Sequence, residues 1–209
     1  MISRLIFAAG LFSLGVTLGH AQDPANMVKV DIKDVKFESQ PTPQIQATNL
    51  VDKRWKPKTW LEVDTEFEIR LPRSEGGDDG TFPALDVKYF LVTSARSKEN
   101  KAVLLTGAVT YANVSAKEKN HALAFVSPAA LKRALMKDGG GKADIIGWAV
   151  EISAGGAIVA GKAGGAGATS AKWWEDTSKF TVIDSSVLGK DKTPFAPFWG
   201  DYDLAPLSK

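Results

Sequence analysis

The sequence predicts a mainly β fold, an antiparallel β-sandwich of about seven strands with one short helix. One stretch, Thr59 to Leu71, alternates apolar and polar residues from end to end, which is the period of a half-buried strand. Similar runs recur along the chain between turn residues, whereas only one short stretch has the spacing of a helix. A parallel α/β fold would need a helix between each pair of strands, so these observations favour a sandwich.

The Thr59–Leu71 stretch is the strand on which the rest of the chain is predicted to pack. Its apolar side chains share one face with Thr65, and its charged side chains share the other. The apolar face holds Leu61, Val63, Phe67, Ile69 and Leu71, and the charged face holds Glu62, Asp64, Glu66, Glu68 and Arg70. Burying each apolar side chain stabilises the fold by about 1.5–3 kcal/mol. We therefore predict one dry face and one face in contact with solvent.

The segments before this strand are predicted to be extended. Met27 to Phe37 alternates apolar and charged residues but shifts phase at Asp34, as a strand with a bulge would. Prolines keep Gln40 to Gln44 out of a helix, and Lys53 to Lys58 forms a basic turn.

The segments after it complete the predicted sandwich. Pro72 to Pro83 is a glycine-rich surface loop, and five further runs are strands. The helix has Ser127 as its N-cap and Pro128 at its first position. The predicted strands are 85–95, 101–114, 121–126, 143–153 and 178–184. Their number and spacing favour an immunoglobulin-like, fibronectin-type sandwich.

The first residues have the composition of a secretory signal peptide. Arg4 precedes an apolar run from Leu5 to Leu18, and Gly19 and Ala21 suit cleavage after Ala21. An uncleaved anchor is the alternative. The chain contains no cysteine, and a secreted protein without disulfides indicates a bacterial envelope, in the periplasm or at the outer-membrane or cell surface. The predicted regions are a signal peptide, residues 1–21, an immunoglobulin-like domain, residues 22–188, and an aromatic, proline-rich tail, residues 189–209.

No catalytic constellation stands out, so we predict a protein that is not an enzyme and needs no cofactor. His121 is the only histidine after residue 21, and without cysteine it cannot complete a papain-type or zinc-finger site. Gly156 to Ala163 is one residue short of a P-loop, because Ala163 replaces the hydroxyl that would hold magnesium. The surrounding glycine- and alanine-rich segment, residues 153–170, is predicted to be a flexible or extended hairpin linker. Basic and acidic residues are interspersed, which offers no patch for nucleic acid.

Two adjacent carboxylates, Asp78 and Asp79, are the candidates for a metal site. Calcium takes several oxygen ligands and tolerates flexible loops, but the spaced ligand pattern of an EF-hand is missing here. A solvated acidic turn is the simpler interpretation, and no metal is assigned.

Aromatic residues near the C-terminus are the candidates for binding a partner. They are Trp173, Trp174, Phe195, Phe198, Trp199 and Tyr202. Aromatic side chains dominate protein interfaces and also offer flat faces to sugar rings. Adjacent tryptophans in a strand would point to opposite faces, so we predict one of the pair in the core. The tail is too apolar for a solvated terminus, and we expect it to cover its own sandwich, with another molecule as the alternative.

Four segments together resemble a known family: Val35–Ile45 (VKFESQPTPQI), Arg54–Ile69 (RWKPKTWLEVDTEFEI), Val87–Val92 (VKYFLV) and Pro197–Leu204 (PFWGDYDL). With the signal peptide, they resemble the secreted pilus-like proteins that mucin-dwelling Verrucomicrobia of the Akkermansia type encode beside a type IV pilus locus. The resemblance implies an immunoglobulin-like domain related to those of archaeal type IV pilus subunits, and no catalysis. A true pilin would keep a long apolar N-terminal helix after processing, so the ordinary signal peptide favours an accessory or surface protein.

The predicted function is therefore that of a non-enzymatic interaction protein of the cell envelope or surface, associated with a type IV pilus-like system. Its predicted partners are proteins of the pilus or outer envelope, or further copies of itself. The alternative is a carbohydrate-binding module that recognises host or mucin glycans through exposed aromatic side chains.

Overall fold

The computed structural model describes residues 28–44, 55–165 and 172–207, and within them the chain forms a mainly β sandwich. The strands are β1 (Lys29–Pro41), β2 (Thr59–Arg70), β3 (Thr81–Arg96), β4 (Ala102–Ser115), β5 (Asn120–Val126), β6 (Ile145–Ala154), β7 (Ala157–Gly165), β8 (Phe180–Ile183) and β9 (Val187–Gly189). One α-helix, α1, spans Pro128–Leu135. The strand order is β1-β2-β5-β9 in the four-stranded sheet and β7-β6-β3-β4-β8 in the five-stranded sheet.

The prediction of an immunoglobulin-like β-sandwich is confirmed, but the number of strands and their pairing differ. The described residues contain nine strands rather than about seven, and the two additional strands are β7 and the short β9. β8 runs parallel to β4, so the five-stranded sheet is mixed rather than antiparallel throughout. Parallel neighbours need a crossover connection, and β4 and β8 are separated in the chain by β5, α1, β6 and β7.

The main core lies between the two sheets and contains the dry face predicted for β2. Leu61, Val63 and Phe67 are fully buried in it. The hydroxyl of Tyr111, in β4, donates to the carbonyl of Leu123, in β5, at 2.8 Å. This hydrogen bond joins the two sheets through the core.

The opposite face of β2 is only partly in contact with solvent, which corrects the prediction. Trp60, Glu62 and Asp64 are buried although they alternate with the core residues. They are covered by the chain that follows β9, because Phe195 packs on Trp60 and Tyr202 bonds to Asp64.

The local signals for β1 and α1 are confirmed. The register between β1 and β2 shifts between Ile32 and Asp34, which is the predicted bulge. At the start of α1, the hydroxyl of Ser127 accepts a hydrogen bond from the backbone N–H of Ala130 at 3.1 Å, and Pro128 occupies the first turn.

The glycine- and alanine-rich segment forms the second strand of a hairpin, as the prediction of an extended hairpin linker allowed, rather than a flexible connection. Ala157–Gly165 is β7, and it pairs antiparallel with β6 through a turn at Gly156, whose φ is 88°. Small residues suit this edge: a Cβ on Gly164 would lie 2.7 Å from the indole of Trp148. The residues that resemble a P-loop therefore belong to this turn and to β7, and residues 166–170 lie outside the described part of the chain.

The predicted signal peptide, residues 1–21, also lies outside the described residues. Within residues 28–44, 55–165 and 172–207, no helix combines the length and apolar character needed to cross a membrane.

Candidate functional site

The tail lies across the outer face of the four-stranded sheet and also contacts the other sheet. The backbone N–H of Leu204 donates to the carbonyl of His121, in β5, at 2.9 Å. The backbone N–H of Leu207 donates to the carbonyl of Thr110, in β4, at 2.8 Å. One strand of each sheet thus holds the end of the chain, and the tail covers its own sandwich as expected.

An aromatic stack runs from the outer face of this sheet to the surface. Phe125 alternates with core residues of β5 and so faces away from the core. Phe195 lies parallel to it, with ring centroids 4.6 Å apart and an interplanar angle of 7°. Trp60 meets Phe195 edge-on at 5.9 Å, and Trp199 stacks on Phe195 at 5.8 Å. Buried rings therefore support the indole of Trp199 from below.

A second, shorter stack ends at Tyr202. Its ring lies on the imidazole of His121, with centroids 4.2 Å apart. The hydroxyl of Tyr202 donates to Oδ2 of Asp64 at 2.7 Å, and Nδ1 of His121 lies 3.0 Å from Oδ1 of the same carboxylate. Two strands, β2 and β5, thus fix the orientation of one tail side chain.

The two stacks meet in a short turn that we call the aromatic turn, residues 198–202. The backbone N–H of Tyr202 donates to the carbonyl of Trp199 at 3.0 Å. Trp199 has a φ of 56°, in the left-handed region that bulky residues rarely adopt. Trp199 and Tyr202 remain 43% and 49% exposed. A strained backbone that presents large aromatic side chains to solvent is typical of a functional site.

A buried ion pair secures this turn. The ammonium of Lys190 pairs with Asp203 and also donates to the carbonyl of Phe198 at 2.6 Å. The side chains of Lys190 and Asp203 are 7% and 1% exposed. Burial raises the pKa of Asp203, although Lys190 opposes that shift. Oδ2 of Asp203 has no hydrogen-bond partner among the described residues.

Carboxylates lie beside the aromatic turn in a group that we call the acidic strip, Glu38, Glu62 and Asp64. Glu38 and Glu62 are directly opposite each other in the register of β1 and β2. Burial raises the pKa of Glu62, and Asp64 and Glu38 raise it further, although a hydrogen bond with Gln40 opposes the shift. Oε2 of Glu62 lacks a hydrogen-bond partner within the described part of the chain.

The two adjacent tryptophans lie elsewhere, which corrects their predicted placement. Trp173 and Trp174 belong to a short 3₁₀ helix rather than a strand, and both are buried. They pack with Phe90 on the outer face of the five-stranded sheet. Nε1 of Trp174 donates to Oε1 of Glu151 at 2.7 Å. The structure therefore brings four of the six candidate aromatic residues together and separates these two from them.

Asp78 and Asp79 are exposed in a short 3₁₀ helix between β2 and β3. Asp79 lies 3.5 Å from the ammonium of Lys117. In the described ranges, no three side chains of the metal-binding types are grouped closely enough to hold a metal ion.

Sequence reasoning missed the polar residues that support the aromatic turn. His121 carried no pattern beyond its place in a strand, and Lys190 is one of many lysines. The sequence predicts a solvated face for the carboxylates of β2, because alternation identifies the residues that share a face and not the segment that covers them.

Comparisons with known proteins place the chain in a family. Among curated proteins, none matches it. A crystal structure of a protein from Akkermansia muciniphila matches with a TM-score of 0.70 and 24% sequence identity, over 87% of this chain and 94% of that one. At this identity the likeness shows the fold alone. A protein-family model matches residues 21–209, and the chain therefore belongs to the family that this model describes.

Proposed function

We propose that this protein is a non-enzymatic interaction module of the bacterial cell envelope or surface, and that the aromatic turn is its contact surface. The observation that carries the proposal is the pair of exposed rings, Trp199 and Tyr202, each supported from below by a stack. Rings held in place lose little entropy on binding, which is why aromatic residues contribute so much to interfaces.

The surroundings of His121 support a role without catalysis. Its side chain contacts the carboxylate of Asp64 and the ring of Tyr202. A triad would need a nucleophilic hydroxyl at the imidazole, and the contacts of His121 within the described residues include none. The chain also has no cysteine that could act as a nucleophile.

The partner we propose is a protein of a type IV pilus-like system or of the outer envelope. The resemblance carried by the Val35–Ile45 and Pro197–Leu204 segments supports this choice, and Pro197–Leu204 contains the aromatic turn. The signal-like residues 1–21 support secretion to the periplasm or cell surface.

A photo-crosslinking residue at position 199 tests the proposal in cells of the source organism. We expect an adduct with an envelope or pilus protein. The control places the same residue at Ile158, which is exposed in β7 of the other sheet. Identical adducts from both positions, or none from position 199, would contradict the proposal.

The second candidate function is glycan binding, which the exposed faces of Trp199 and Tyr202 favour. A glycan array measures it directly. Binding that Trp199→Ala abolishes and Ile158→Ala preserves would support this function, and an array without any bound sugar would exclude it for the glycans displayed.

A further inference from the structure

The aromatic turn lies in a negative electrostatic field. The hydroxyl of Tyr202 bonds to the carboxylate of Asp64. Burial raises the pKa of Tyr202, and Asp64, Glu62 and Glu66 raise it further, as negative charges near a phenol do. The geometry agrees, because these three carboxylates alternate along the outer face of β2.

Within the described part of the chain, much of this negative charge has no lysine or arginine partner. Ion pairs on this face join Lys190 to Asp203, Lys119 and Lys36 to Glu66, and Lys142 to Glu38, and Nδ1 of His121 lies 3.0 Å from Oδ1 of Asp64. Among the described residues, no lysine or arginine lies within ion-pair distance of Glu62, Asp64 or Asp201. Glu62 is only 9% exposed, and no described residue donates a hydrogen bond to its Oε2. A buried, unpaired carboxylate acts strongly on nearby charges because little water screens it.

Aromatic faces and unpaired carboxylates attract the same kind of group. The face of an indole or phenol ring carries partial negative charge and binds a cation, most often the planar guanidinium of arginine. A neutral sugar would gain the stacking but nothing from the field, and an acidic glycan would be repelled. A cationic side chain gains both contributions.

We propose that the aromatic turn and the acidic strip bind a basic segment of a protein partner, with an arginine or lysine side chain on the rings of Trp199 and Tyr202. This rests on the proposed function and names the chemistry of the partner. Asp201 lies between the two rings in sequence and is exposed, so it adds a carboxylate at the solvent side of the turn. Gly200 leaves open space beside it, since a Cβ there would contact nothing within 4 Å.

Fluorescence anisotropy with labelled pentapeptides tests the proposal on the purified protein. The probes are Arg-Gly-Arg-Gly-Arg and matched peptides with glutamine or glutamate in place of arginine. We expect only the arginine peptide to bind, with an affinity that falls as salt is raised. Trp199→Leu, Asp201→Asn and Glu62→Gln should each weaken binding about threefold to tenfold. The control Asp78→Asn removes an exposed carboxylate between β2 and β3 and should leave binding unchanged.

Circular dichroism and urea melts of each variant show whether it remains folded. If Glu62→Gln does not fold, Asp201→Asn, at an exposed position, still tests the proposal. Equal binding of the three peptides, or an equal loss in the Asp78 control, would overturn the proposal. So would binding of a neutral glycan at the turn without the arginine peptide. If the crosslink from position 199 persists while the arginine peptide fails to bind, the proposed function stands and the basic partner is wrong.

Discussion

Lys190 and Asp203 form an ion pair within the tail, and both side chains are almost completely buried. Lys190 follows β9 directly, and Asp203 follows the aromatic turn, so the pair closes a loop around Phe195. The same ammonium donates to the carbonyl of Phe198. The position of the exposed rings therefore depends on a contact that solvent does not reach.

Removing one partner of this pair should destabilise the protein strongly. Lys190→Met leaves Asp203 buried without a counter-ion, and such changes cost about 3–5 kcal/mol. We expect the double variant Lys190→Met, Asp203→Leu to recover much of the loss, because neither charge then remains buried. Urea melts at pH 7 provide the free energies of unfolding for the double-mutant cycle. Free energies of unfolding of the single variants within about 1 kcal/mol of the original protein's would show that the pair is open to water.

The buried and the exposed members of the longer aromatic stack should respond differently to truncation. Phe195→Ala removes a buried ring from between Phe125 and Trp60 and should cost about 3–5 kcal/mol. Trp199→Ala removes a half-exposed ring and should cost less than about 1 kcal/mol. Thermal or urea unfolding measures both. A larger loss for Trp199 than for Phe195 would mean that the indole, rather than the phenyl ring, holds the tail in place.

Glu62 should make the stability of the protein depend on pH. Burial raises its pKa above the ordinary 4.5, so the folded state holds this proton more tightly than the unfolded state does. Its contribution to stability is therefore fully present below about pH 4.5 and is lost as pH rises through the raised pKa. Glu62→Gln cannot titrate, and its stability relative to the original protein should increase across that window and then level off. Urea melts from pH 4 to 8 measure the difference. A flat difference over this range would show that the folded state does not shift the pKa of Glu62.

The sequence predicts the sandwich well because alternation reports which residues share a face. Thr59 to Leu71 identifies Leu61, Val63 and Phe67 as core without any knowledge of the other strands. It cannot show that Trp60 and Glu62 are covered, because the residues that cover them come more than a hundred positions later in the chain. The same limit applies to β7, whose small residues lack the alternation of large apolar side chains that marks the other strands.

The aromatic turn illustrates the same limit for function. Composition and prolines indicate that the tail covers something, and the exposed rings were among the candidate residues. The support beneath them was not foreseeable, because it requires His121 from β5 and Asp64 from β2 to meet Tyr202. Only the pairing of β2 with β5, in which Glu66 faces His121, brings these groups together.

Truncation after Gly189 removes the tail while leaving all nine strands of the described residues in place. It exposes Trp60, Leu123 and Phe125, which now form an apolar cluster with Phe195 on the outer face. Because burying a single large apolar side chain contributes about 1.5–3 kcal/mol, we expect a loss of several kcal/mol in urea melts. The uncovered patch should also promote self-association, which size-exclusion chromatography detects. A chain that ends at Leu207 is the matched control and should behave like the original protein, since it keeps the tail contacts described above, including the hydrogen bond from Leu207 to Thr110. If the shortened protein keeps its stability and loses a partner instead, the tail is a docking peptide and its contacts with the sandwich are secondary.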